Sequence, residues 1–288
     1  FPCATNGCDY AVSFFLNPPG DDFPALDEVR LIYRAGFGTV VTAAVACVRG
    51  DWDAQGGQRW HGTIPAAAIP APGGLLRWAA LVTDAEGRRF RAPAFRNPED
   101  GPEWYGTIVA GHALDSATLQ TFHLFADSSA LSLMDKQYDS IAASHPLGAR
   151  CGIYDAVTGL YYDNVRIDLR GQTTASFNKK SHGLLFSKVQ PLSCVDPVSG
   201  MEFDGVRKTS FVAAYSDPSC LRQALSYYVM RSHGMPVPND YPVRLNLNGA
   251  FYELAWNSNR FTDEYLEDIA ELDPLGYAWK GCGTLSGS

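Results

Sequence analysis

Arg170-Gly171-Gln172-Thr173-Thr174-Ala175-Ser176-Phe177-Asn178-Lys179-Lys180-Ser181 joins two stretches of strand-like pattern. Ahead of it, Tyr161 to Leu169 alternates. Val165, Ile167 and Leu169 point one way and Arg166, Asp168 and Arg170 the other, as a half-buried strand requires. Behind it, Gly183 to Val189 reads as a second strand. The junction itself is small and polar, which leaves two readings open. It is a polar hairpin with solvated lysines, or a loop whose backbone N–H groups approach phosphate oxygens while a lysine supplies the counter-charge.

Further along, Asp217 is placed to cap a helix whose first position would be Pro218. Leu221, Ala224, Leu225, Tyr228 and Val229 recur at helical spacing on one face, and Gly234 and Pro236 end the element. Val243 to Leu247 and Phe251 to Trp256 then flank Asn248-Gly249, a strong signal for a tight hairpin. Thr262 would cap a last, acidic helix with Asp263 and Glu264 in its first turn. The acids from Asp263 to Asp273 read as a solvated face more readily than as a calcium site.

The N-terminal third differs in character. Glu28 to Tyr33, Thr39 to Val48, Leu75 to Thr83 and Arg88 to Arg91 read as short strands, the last two joined by a turn at Asp84-Ala85-Glu86-Gly87. Trp52, Trp60 and Trp78 are candidates for a core between them. Ala35-Gly36-Phe37-Gly38-Thr39-Val40-Val41 reads as a hairpin turn and not as a glycine-rich nucleotide loop, because the third glycine and a following lysine are missing. Pro93 to Tyr105, with three prolines, reads as a linker. Fold class follows as α+β: an antiparallel β-sandwich of immunoglobulin or fibronectin kind over residues 1–105, then a different unit over 112–288.

Composition narrows the function. A formal charge of −8 argues against a nucleic-acid partner, and no apolar run is long enough to span a membrane. Seven scattered cysteines have no zinc-ligand spacing. They read as buried thiols or, preferably, as up to three disulfides of a secreted or cell-surface protein, with one cysteine left over. The six histidines show no ligand spacing. Serine-hydrolase elbows, zinc-protease pairs and P-loops are missing.

Five segments in order resemble the CotH-type spore-coat kinase family: Tyr162-Asp163-Asn164-Val165, the Arg170–Ser181 stretch, Ser216-Asp217-Pro218-Ser219-Cys220-Leu221-Arg222, the strand and turn through Asn248-Gly249, and Asp273-Pro274-Leu275-Gly276-Tyr277-Ala278-Trp279-Lys280. What the resemblance implies is a partial, atypical protein-kinase-like domain. It would belong to a secreted kinase that uses ATP and Mg2+ to phosphorylate serine on extracellular or coat proteins. Lys179 or Lys180 would neutralise the nucleotide phosphates, with Arg170 supporting the loop or touching nucleotide. Two positions depart from the family pattern. Glu253 stands where a glycine is expected, and Asn259 where a glutamate is expected, which puts a lysine–glutamate contact in doubt. The family's metal-binding aspartates would fall beyond Ser288, so the chain alone is expected to be inactive. The rival expectation is a non-catalytic surface or adhesion protein that uses the same fold for binding.

Overall fold

The computed structural model of the chain describes residues 4–16, 26–38, 41–52, 57–95, 101–111, 118–134, 149–170, 177–195, 200 and 202–260. Within these residues the chain is mostly strand, arranged in antiparallel sheets.

Alternation in the N-terminal part produces two sheets. β1 (Tyr10–Leu16), β5 (Gln58–Ile64) and β4 (Val48–Trp52) form one. β2 (Leu26–Ala35), β3 (Val41–Ala46), β6 (Leu75–Asp84) and β7 (Arg89–Ala92) form the other in the order β3-β2-β6-β7, and β8 (Tyr105–Ile108) adds to β6. Tyr10, Val12, Trp60 and Ile64 from the first sheet meet Leu31, Tyr33, Leu76, Trp78 and Val82 from the second in one apolar cluster. Each such side chain, when fully buried, contributes roughly 1.5–3 kcal/mol. The single strand expected over Thr39 to Val48 is two. The chain breaks at Cys47, whose N–H donates to Val29 O at 2.8 Å, and so passes from one sheet to the other. The segment read as a linker also carries structure: Trp104 is buried and Tyr105 opens β8.

Seven strands beyond it close into a barrel. These are β9 (Gln120–Phe125), β10 (Ala149–Asp155), β11 (Tyr161–Arg170), β12 (Ser181–Leu185), β15 (Lys208–Val212), β16 (Asp240–Leu247) and β17 (Ala250–Asn259), in the order β10-β11-β12-β15-β17-β16-β9. Every neighbouring pair is antiparallel except β9 with β16, which closes the ring in parallel. Closure removes the free edges that an open sheet would leave. β13 (Leu192–Val195) and β14 (Glu202–Val206) form a separate hairpin, and α1 (Ser128–Met134) follows β9. The alternation read in β11 is the one observed: Val165, Ile167 and Leu169 are buried inward, and Arg166, Asp168 and Arg170 are only partly covered. The Asn248-Gly249 turn is also present, both residues taking the positive φ that such a tight hairpin needs (49° and 83°). Asn248 does a second job, since its side chain accepts from Ala126 N and donates to Ala126 O, tying the β16–β17 turn to the end of β9.

Helix α2 (Arg222–Ser232) starts later than expected. Ser219 N donates to Asp217 Oδ1 and Arg222 N donates to Oδ2 at 2.7 Å, so Asp217 braces a turn ahead of the helix; Pro218 lies in that turn, and the N-cap position falls to Leu221 instead of Asp217. Most of the apolar stripe is turned outward: Leu221, Leu225, Tyr228 and Val229 are all exposed, while Gln223, Ala224 and Tyr227 are partly covered. The last expected helix and the Asp273–Lys280 segment lie outside the described residues, as do Gly171–Ser176. Cysteine chemistry also differs from expectation. Cys8, Cys47, Cys151, Cys194 and Cys220 are all free thiols. Cys151 and Cys194 are packed in the barrel core as small apolar groups, and burial pushes both thiols up to about 12.

Among the described residues, no helix is long and apolar enough to cross a membrane.

Candidate functional site

The loop ends at β11 and β12 are brought together by pairing, with Arg170 opposite Ser181. Lys179 and Lys180 lie just ahead of Ser181, at the rim of the barrel. β15 leaves its partner β17 after the Val212–Trp256 pair, and Ala214 adopts a positive φ of 48° as the chain turns away. That departure exposes strand carbonyls with no strand to receive them. Lys179 fills the step: its Nζ donates to Ala213 O at 2.8 Å and to Leu254 O at 2.5 Å. Ser181 completes the junction by accepting from Ala213 N at 3.0 Å.

An ammonium has three N–H groups, and two are committed here. Close enough to feel its charge is Glu253. This side chain is 4% exposed and its Oε1 has no hydrogen-bond partner. Burial pushes its carboxyl up to about 7, and the positive charge of Lys179 pulls it part of the way back. Beside it Tyr252 occupies an irregularity in the β16–β17 register, and its hydroxyl lies 3.2 Å from His182 Nε2. The rim therefore presents a lysine with one uncommitted N–H next to a carboxyl that gains and loses its proton near neutrality. Such a pair accepts an anion when the carboxyl is protonated and repels it when the carboxyl is charged.

Of the three residues singled out from the sequence, Lys179 and Lys180 are neighbours on the rim and Arg170 lies at the paired end of β11. Arg170 is held on the outer side of β11, its guanidinium lowered by burial and by the nearby Arg260, with Tyr227 of α2 as a further neighbour. Lys180 is partly buried at the rim. Asn259 is buried at the far end of β17, opposite Thr209. Six residues of strand separate it from Glu253, roughly 20 Å, so a glutamate at 259 would not reach Lys179 in this fold. Glu253, read as an intruder at a glycine position, is the acid that neighbours the lysine. Sequence reasoning missed this because the strand irregularity at Tyr252, which sets the face of Glu253, has no local signature. The lone acid inside Phe251–Trp256 was the available clue.

Magnesium has no matching cluster: among the described residues no group of three or more His, Cys, Asp or Glu side chains could hold a metal ion. The remaining N–H of Lys179, and the Glu253 carboxyl when it is protonated, are the donors that this rim could offer to an anion.

Below this rim the barrel carries a buried polar chain. Gln120 donates to Asp155 Oδ2 at 2.9 Å, Tyr241 donates to Gln120 Oε1, Asn257 donates to Tyr241 at 2.9 Å, and Thr209 donates to Asn257 at 2.6 Å. Burial raises the Asp155 carboxyl, while Gln120, Val157 N and Thr158 hold it back. Satisfied at each step, the chain fixes strand register and leaves no group turned to a ligand.

No curated protein matches the chain. Similar solved structures include a cycloalternan-forming enzyme from Listeria monocytogenes in complex with a pentasaccharide substrate, at 8% identity over 73% of this chain and 17% of that one, with a TM-score of 0.25. Another is an uncharacterized protein from Listeria monocytogenes EGD-e in complex with α-D-glucose, β-D-glucose, magnesium and calcium, at 8% identity over 74% and 18%, with a TM-score of 0.24. The chain spans less than a fifth of the length of either. Residues 167–272, from within β11 to beyond the end of β17, match the model of the CotH kinase protein family, the family that the sequence of this chain resembles.

Proposed function

We propose that the chain is part of an atypical protein kinase of CotH type, secreted or displayed at a cell surface, and that the barrel rim at Lys179 receives the phosphates of ATP. The observation that carries this reading is the state of Lys179: anchored by two strand carbonyls, with one N–H left beside the buried Glu253, inside the segment that matches the family. A lysine fixed in this way is pre-positioned, so little rotamer entropy is lost when an anion arrives. Lys180, adjacent on the same rim, supplies a second positive charge. Arg170, on the outer side of β11, supports the strand end from which the loop departs. The phosphoryl acceptor would be serine on an extracellular or coat protein.

Calorimetric titration with ATP tests the reading on the wild-type chain and on Lys180→Ala, Lys179→Met and Glu253→Gln. Both lysine variants should weaken binding by at least about tenfold, equivalent to about 1.4 kcal/mol. Only Lys179→Met should also lower the melting temperature, because only Lys179 closes the step between β15 and β17. Unchanged ATP affinity in both lysine variants would sink the proposal.

One observation favours a second reading, non-catalytic binding by the same fold. Helix α2 turns Leu225, Tyr228 and Val229 outward at 58%, 69% and 54% exposure, more apolar surface than a solvated helix face needs. Retained partner capture by a chain with no ATP affinity would select this alternative.

A further inference from the structure

The first 111 residues contain nine arginines and no lysine. Five of the nine sit on one surface, the outer face of β2, β6 and β7. Cross-strand register shows how they are set. Arg34 lies opposite Arg77; Arg30, Leu81 and Arg91 form a single row across the three strands; Arg89 stands opposite Thr83 beyond that row. The central strand β6 thus supplies an accessible floor of Leu81 and Thr83, with Ala79 covered, and the flanking strands supply arginine walls. Two strand spacings separate the walls, about 9.5 Å, which is room for one extended polypeptide.

Trp104 closes one end of this trough. The guanidinium of Arg91 lies 4.8 Å from its ring centroid, that of Arg34 5.7 Å and that of Arg77 5.8 Å. Stacking of this kind holds a guanidinium in place while leaving its N–H edge available. Like charges opposite one another across strands are destabilising, and Arg34 and Arg77 are such a pair. Fixed acids on the face offset only part of this. Asp163 is buried against Arg77, Glu103 acts on Arg34 and Arg91, and Glu28 pairs with Arg30 at 2.5 Å. Arg77 is buried and its charge is met by Asp163 and Asp127; among the described residues that leaves Arg30, Arg34, Arg89 and Arg91 against Glu28 and Glu103, a positive face on a chain whose formal charge is −8. At the open end, Arg30 and Arg89 are exposed, and Leu81 is 38% exposed on the floor between the walls.

We propose that this arginine-walled trough binds an extended peptide segment rich in glutamate or aspartate. An extended chain rises about 3.3 Å per residue, so acids at alternate positions fall about 6.6 Å apart, matching the spacing of Arg89 and Arg91 along β7. Arginine is the residue suited to bidentate contact with carboxylates, which accounts for its exclusive use here. The apolar floor accepts the intervening uncharged side chains.

Fluorescence anisotropy of a labelled alternating Glu-Thr peptide against the full chain, with the matching Gln-Thr peptide as control, tests the proposal. The double variant Arg30→Glu, Arg89→Glu alters only exposed side chains, and an unchanged circular dichroism spectrum confirms its fold. The acidic peptide should bind at low salt, the neutral one should not, and the double variant should weaken binding by about tenfold or more. Three results overturn the proposal: no binding of the acidic peptide, equal binding to the variant, or variant-sensitive binding of inorganic polyphosphate with none of the peptide. The last would assign the face to phosphate chains.

Discussion

Asp163 joins the N-terminal sheets to the barrel, and its removal is the sharpest test of how the two parts are held. Its Oδ2 accepts the backbone N–H groups of Glu103 and Trp104 at 2.9 and 2.8 Å, and its Oδ1 accepts Tyr161 OH at 2.7 Å. Arg77, 5% exposed, supplies the counter-charge at 3.5 Å and also donates twice to Gly36 O. Removing one partner of a buried ion pair costs about 3–5 kcal/mol, because the other charge stays buried. Each orphaned N–H adds about 1–3 kcal/mol, but these losses overlap and water relieves some of them. We therefore expect Asp163→Ala to destabilise by about 4 kcal/mol, or roughly 10 °C in Tm. Asp163→Asn keeps the acceptor oxygen and loses the charge, so about half that loss is expected. Denaturant unfolding gives the global value, and hydrogen exchange at the Glu103 and Trp104 amides reads the local opening. In a cycle with Arg77→Met, the double variant should be less destabilised than the sum by about 2 kcal/mol. A loss below about 1 kcal/mol for Asp163→Ala, or strict additivity with Arg77→Met, would refute the reasoning.

The buried Glu253 predicts an unusual pH dependence. Its carboxyl is raised from 4.5 to about 7, so between those values the folded chain binds more protons than the unfolded one and stability falls as pH rises. The full penalty, about 3 kcal/mol, is present above pH 7, and Glu253→Gln should remove most of the slope in denaturant midpoints measured from pH 5 to 8. Gly106 is packed against Tyr161, where a Cβ would come to 2.6 Å of the ring. Gly106→Ala should accordingly cost about 1–3 kcal/mol by thermal melting, a loss that Tyr161→Leu would partly relieve. Leu225→Ser and Val229→Ser, on the outward face of α2, should each change stability by no more than about 0.5 kcal/mol, the opposite of what a core-facing stripe would give.

Legibility followed the range of the interactions. Strand β11 and the Asn248-Gly249 turn were readable because alternation and turn chemistry act over a few residues, whereas the helix expected to start at Asp217 starts only at Arg222. Barrel closure was not, since the parallel β9–β16 pairing joins residues about 120 apart and leaves no mark in either strand alone. The same limit explains Asp163 and Asn164. They stood out only as part of a family-like motif, whereas the fold uses Asp163 to clamp Glu103 and Trp104, and Asn164 to donate to Gly101 O at 3.0 Å. The stripe on α2 misled for a different reason. Helical periodicity shows that a helix has an apolar face but not which way that face turns, and here Tyr227 and Gln223 occupy the inner side.

The placement of Glu253 bears on what kind of site the rim is. A permanent lysine–glutamate ion pair would need the carboxylate charged at neutral pH and well satisfied by donors. Glu253 departs from both, with one oxygen unpartnered and its carboxyl pushed up to about 7 by burial. Lys179, for its part, is held in place by Ala213 O and Leu254 O without help from the acid. Anchoring of the lysine and neutralisation of its charge are thus assigned to different groups. An anion at the rim would take the N–H that Ala213 O and Leu254 O leave over, and those two bonds stay intact, so the barrel need not rearrange to receive it. Binding of a phosphate should then favour the protonated acid, and by linkage its affinity should fall as pH rises through 7. That decline should vanish in Glu253→Gln, whereas a purely structural carboxyl would leave the affinity of the two proteins equally flat across the same range.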